Sequence, residues 1–166
     1  MARPRPPERQ ILCPTVRGEP RHFPAAEVRW RPACYGVALR EGRVFLGRSL
    51  FTGRWELPGG GVEPWESLAE GLEREFAEES GLRPRVLESL YFAESYVSFF
   101  GRAFHSLRYY FLVALPAAGP LRPQEGELAE LAWLDPGDPA LELGADDREA
   151  IRRALVRQGS GAAAAG

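Results

Sequence analysis

The sequence predicts an α+β fold in a single domain, on three observations. Runs rich in β-branched and aromatic residues recur along the chain, two stretches carry helical periodicity, and 45% of the 166 residues are hydrophobic. That composition supplies one real core, and the length is too short for two full-sized domains.

Residues 1–32 are rich in Pro and Arg and lack a sustained period apart from the short run at Ile11–Val16, which predicts an extended, at best partly paired N-terminal arm. From residue 33 the pattern changes. "ACYGVALR" and "RVFLGRS" are short apolar runs of β-formers separated by "EGR", a hairpin signal with glycine in the turn. "WELPGGGVEPWE" packs two prolines and three glycines into twelve residues and predicts a loop of special backbone geometry. Next, Leu68, Leu72 and Phe76 recur at fourfold spacing, the apolar stripe of an amphipathic helix. Ser67 is its N-cap with Glu70 as capping-box partner, and Gly81 is its C′ residue. "RVLESLYFAESYV" and "AFHSLRYYFLVAL" read as long strands, the second with an apolar end suited to burial on both faces. "ELAWLD" is one more short strand, and "DDREAIRRALVRQ" is a last helix with acids at its start and arginines toward its end. The domain thus spans residues 33–158, and the low-complexity tail 159–166 is expected to be disordered.

Composition narrows the function classes. A net charge of −2 and a pI near 5.8 give no global basic surface, so a nucleic-acid polymer is not an expected partner. Cys13 and Cys34 stand alone without metal-ligand spacing and read as reduced and structural. No stretch approaches the roughly 20 apolar residues of a membrane span, and the chain reads as cytoplasmic. All 21 basic residues are arginine, which excludes a lysine nucleophile or Schiff base. His22 and His105 have no partner spacing and are assigned no role.

Chemistry concentrates in "REFAEESGL". On the predicted helix Glu75, Glu78 and Glu79 sit at i, i+3 and i+4, so three carboxylates share a face distinct from the apolar stripe. Like charges this close repel unless a cation is bound, and hard divalent ions take oxygen ligands of this kind, which points to Mg²⁺ or Mn²⁺. A solvated acidic face is the ordinary alternative for a glutamate cluster, and the preceding loop decides against it. Reading from Gly60 through Glu66, Arg74, Glu75, Glu78, Glu79 and Gly81 to Leu82 gives G-x5-E-x7-R-E-U-x-E-E-x-G-U without a gap. With each residue type at roughly 5–7% of ordinary composition, a chance match is on the order of one in a million or rarer.

The sequence therefore resembles the Nudix hydrolases, with every fixed position of the Nudix box present between Gly60 and Leu82. The resemblance implies the Nudix fold, a mixed β-sheet in an α/β/α sandwich. It implies a divalent metal held by Glu75, Glu78 and Glu79 with the Gly60 carbonyl, and Arg74 paired with Glu66 to hold the loop against the helix. The implied reaction is attack of water on a phosphorus of a nucleoside diphosphate linked to another moiety. For the general base, the loop before the last strand offers Glu125, Glu127 and Glu130, of which Glu127 is favoured, and Glu79 is the other choice.

Substrate is approached by elimination. Relatives that hydrolyse ADP-ribose commonly carry a proline downstream of the box, where this chain has Val97 and Ser98, and those acting on diadenosine polyphosphates a tyrosine near the positions of Phe99 and Phe100. Lacking both, and the upstream signature of coenzyme A hydrolases, the chain looks most like the MutT-type enzymes that cleave (deoxy)nucleoside triphosphates, 8-oxo-dGTP included. An ADP-ribose, nucleotide-sugar or dinucleotide pyrophosphatase is the alternative, and a non-hydrolytic nucleotide sensor is the alternative of another class. Tyr96, Phe99, Phe100 and Arg102, expected in a loop, are the candidate substrate contacts. Trp65 is either a lid over the metal loop or simply exposed. A homodimer is left open.

Overall fold

The computed structural model describes residues 8–15, 19–116 and 119–164. Two antiparallel strands, β1 (Gln10–Cys13) and β2 (Arg21–Pro24), form a small sheet of their own. The main sheet begins with β3 (Arg29–Arg40) and β4 (Arg43–Ser49), joined by a two-residue turn. Glu41 (φ 51°) and Gly42 (φ 75°) both lie in the left-handed region, as the tight turn between twisted strands requires. After β5 (Trp55–Glu56) and β6 (Gly59–Gly61) comes helix α1 (Leu68–Ser80). The long strands β7 (Arg85–Phe99) and β8 (Arg102–Ala114) follow, then β9 (Leu128–Leu134) and helix α2 (Ala145–Ala164). The strand order is β5-β4-β3-β8-β7, with β6 added to β3 and β9 to β4. Among the described strands of this sheet only β3 and β8 run parallel to each other, so the sheet is mixed.

Alternation along the strands sends successive side chains to opposite faces, and each face carries a helix. Tyr35, Val37, Val44, Leu46 and Tyr110 pack with Ala150, Ile151 and Ala154 of α2. Cys34, Ala38, Phe45 and Val113 pack with Leu72 and Phe76 of α1. The α1 ends are fixed locally. Ser67 Oγ accepts from the Glu70 N–H while Glu70 Oε2 accepts from the Ser67 N–H at 2.8 Å, and Gly81 closes the last turn by donating to the Ala77 carbonyl.

Three sequence expectations change. The N-terminal segment, expected as an extended arm at best partly paired, forms a paired sheet: β1 pairs with β2, Ile11 and Cys13 are buried against Ala103, and β3 begins at Arg29, four residues before the expected boundary at 33. Residues 1–7 lie outside the described residues. The tail expected to be disordered continues α2 as far as Ala164, in keeping with the high helix propensity of its alanines. The triple glycine, expected as pure loop, is a strand on β3. No helix among the described residues is long and apolar enough to cross a membrane.

Candidate functional site

β6 and α1 form one unit. Gly59 has φ 143°, and a Cβ there would collide with the Cys34 carbonyl, so β6 can lie this close to β3 only as glycine. At Gly60 a Cβ would stand 2.5 Å from Glu75 Oε2, so the missing side chain is what lets the Glu75 carboxylate reach the β6 backbone.

Arg74 ties the unit together. Its Nε donates to Glu66 Oε1 at 2.6 Å and its Nη2 to Glu66 Oε2 at 2.9 Å, a bidentate pair, while Nη2 also donates to the Gly61 carbonyl at 3.0 Å. Nη1 reaches Glu75 Oε1 at 2.9 Å and Glu78 Oε2 at 3.5 Å. Glu66 Oε2 further accepts from the Glu63 N–H at 3.0 Å. The bond from Arg74, then that from Glu63, hold the Glu66 carboxyl down at about 2. A depressed carboxyl adds stability that is present above its ordinary pKa and lost as pH falls through the folded value. Stability of the metal-free protein is therefore expected to fall between pH 4.5 and about 2. In Glu66→Gln that part of the slope disappears, as urea melts across this range would measure.

The other carboxylates have the opposite character. Burial pushes the Glu79 carboxyl up to about 8, the Gly59 N–H bond at 2.8 Å opposes this, and the nearby charges of Glu75, Glu127 and Glu56 add to it. Glu75 is also raised by burial, with Arg74 pulling it back. Among the described residues no cation pairs with Glu79. Glu78 differs: it is exposed and turned toward Arg74.

As they stand, no three Asp, Glu, His or Cys side chains among the described residues converge as a metal-ligating group. Each carboxylate takes its own donor: Arg74 for Glu75 and Glu78, the Gly59 N–H for Glu79. The donor set nevertheless suits a hard divalent ion. It is all oxygen, it includes the half-buried Glu79 carboxylate, which has no counter-charge among the described residues, and it lies beside a glycine backbone.

A cavity of about 860 Å³ opens next to this unit. Glu56 and Arg31 join the two: both line the cavity, Glu56 raises the Glu79 carboxyl, and Arg31 acts on Glu75. Phe99 and Phe100 line it as well, the Arg31 guanidinium lying 5.3 Å from the Phe99 ring centroid. Two expected substrate contacts do not line it. Tyr96 is drawn into the cluster around Ile11 and Cys13 and packs on His105, and Arg102 is exposed at the start of β8. The expected loop is mostly strand, leaving Phe100 and Gly101 as the turn. Glu127 is exposed, close enough to act on Glu79, and its loop is fastened to α1 by the Gln124 N–H donating to the Glu79 carbonyl. Trp65 is exposed, and His105 stacks between Trp30 and Tyr96. Glu56 escaped sequence reasoning because a two-residue strand carries no periodicity.

A mixed sheet between two helices, with a glycine strand laid against a glutamate-bearing helix, defines the class of α+β domain to which such a site belongs. The chain belongs to the Nudix family: the NUDIX domain matches residues 29–154. Among curated proteins it is similar to the nucleoside triphosphatase NudI of Salmonella heidelberg, 34% identical over 74 residues. That match covers 45% of this chain and 40% of the relative, well under two thirds of its length. Among solved structures, a MutT Nudix hydrolase from Burkholderia pseudomallei superposes with a TM-score of 0.64 at 25% identity, covering 75% of this chain and 98% of that one. An ADP-ribose pyrophosphatase from Streptococcus suis gives 0.60 at 18% identity, covering 78% of this chain and 91% of that one, and shows the fold alone.

Proposed function

We propose that the chain hydrolyses (deoxy)nucleoside triphosphates to the monophosphate and pyrophosphate, with Mg²⁺ or Mn²⁺ held by Glu75, Glu78, Glu79 and the Gly60 carbonyl. The observation that carries this reading is the half-buried Glu79 carboxylate of α1, without a cation partner among the described residues, held by the Gly59 N–H of the glycine strand and acted on by Glu56 of the cavity wall. The name of the NudI relatives supports the triphosphate. A divalent ion there neutralises phosphate oxygens and lowers the pKa of bound water.

The chain's own residues do the rest. Arg74 and Glu66 lock β6 against α1, so the Gly60 backbone and the carboxylates keep one geometry. Arg31 brings positive charge to the passage between cavity and carboxylates, where a polyphosphate would run. Glu127 or Glu79 would accept a proton from the attacking water, and the proximity of Glu127 to Glu79 together with its exposure supports Glu127. Phe99 and Phe100 offer faces on which a base can stack.

The test is product and preference. Hydrolysis is expected to yield pyrophosphate as the first product, and kcat/KM for a nucleoside triphosphate is expected to exceed that for ADP-ribose and diadenosine tetraphosphate. Inorganic phosphate released first, or ADP-ribose leading by tenfold or more, about 1.4 kcal/mol of transition-state preference, would overturn the triphosphate assignment.

A further inference from the structure

The small β1–β2 sheet lies before residue 29, outside the matched NUDIX domain, yet it forms part of the cavity wall. Three contacts seat it on the end of the β7–β8 hairpin. Ile11 and Cys13 are buried with Ala103, Phe23 packs on the same cluster, and the Ser98 N–H donates to the Pro14 carbonyl at 2.7 Å, next to a parallel bridge between Thr15 and Ser98. Strand alternation then sorts the side chains of β2. Phe23 faces the cluster, Arg21 lies on the same face and lines the cavity, and His22 lies on the other. Glu19 also lines the cavity, and neither its carboxylate nor the Arg21 guanidinium forms an ion pair or hydrogen bond among the described residues. In the same cavity Phe51 and Phe100 are exposed with ring centroids 6.1 Å apart, and Phe100 holds a left-handed backbone at φ 49°.

The geometry points to the N-terminal sheet as the wall that receives the base end of a nucleotide, with Arg21 and Glu19 meeting the polar edge of the base while Phe51 and Phe100 take its face. This rests on the nucleotide reading above and adds what that reading lacks, a source of base discrimination. A stacking surface accepts any base, whereas one hydrogen-bond donor and one acceptor of opposite charge distinguish one edge from another. The phosphates lie at the Arg31 and Glu56 end, nearest the carboxylates.

The experiment compares a ligand that has a base with one that lacks it. Dissociation constants are measured in Mg²⁺ for α,β-methylene ATP and for inorganic tripolyphosphate. Arg21→Ala and Glu19→Gln are each expected to weaken the nucleotide about tenfold, the size of a lost hydrogen bond to a charged group, and to leave tripolyphosphate nearly unchanged. With the hydrolysable nucleotide, KM rises while kcat holds. His22→Ala, on the other face of the strand, changes neither ligand, and thermal melts report whether each variant keeps its fold. Equal losses for both ligands, no loss for either, or a wild type that binds no nucleotide would each overturn the inference. Preference for ADP-ribose over triphosphates would overturn the substrate assignment alone, because the base would still meet the same wall.

Discussion

Glu79→Gln is expected to lower kcat/KM by about a hundredfold or more, since even groups that only orient metal ligands cost 10–100-fold when removed. Two features separate this from loss of fold. Glutamine can still accept the Gly59 N–H bond that Glu79 accepts. A carboxyl whose folded pKa is raised also costs stability as pH climbs from its ordinary value toward the folded one, here from 4.5 to about 8. In chelator-treated protein Glu79→Gln is therefore expected to be more stable than the wild type at pH 8 and no more stable below pH 4.5. Urea unfolding at the two pH values, beside the kinetics in Mg²⁺, is the measurement. Undiminished turnover would remove Glu79 from the site, and a variant less stable at pH 8 would remove the account of its burial.

Phe76→Ala is expected to destabilise the protein by about 3–5 kcal/mol, the usual cost of emptying a well-packed aromatic site. The side chain is fully buried, its ring stacks on Phe45 at 5.8 Å, and it lies over Gly36 of β3. The neighbourhood cannot readily collapse into the space, because the strand backbone bounds it on one side. Since Phe76 sits next to Glu75, looser packing should also cost activity at temperatures well below the melting point. A shift of less than about 1 kcal/mol in denaturant titration would mean that the α1 face is less well packed than its burial indicates.

The elements around α1 were legible in the sequence because their causes are local. Ser67 and Glu70 cap the helix across three residues, Leu68, Leu72 and Phe76 repeat at its own period, and the glycine at 42 marks a two-residue turn. The spacing from Gly60 to Leu82 is likewise short-range, and it placed the chain in the family whose domain matches residues 29–154. Sequence alone thus determined the order of the long strands and the two helices and the neighbourhood of the carboxylates, and the family resemblance carried the mixed architecture. Only the tertiary structure decided how those carboxylates differ. Identical in type, Glu79 is raised by burial, Glu75 is raised by burial with Arg74 pulling it back, and Glu78 stays exposed beside Arg74. The same holds for the cavity wall. Tyr96 turned into a satellite core and Arg21 turned toward the cavity because β1 and β2 settled on the far end of β7 and β8. Burial and charge proximity are sums over residues distant in sequence, and no local spacing carries them.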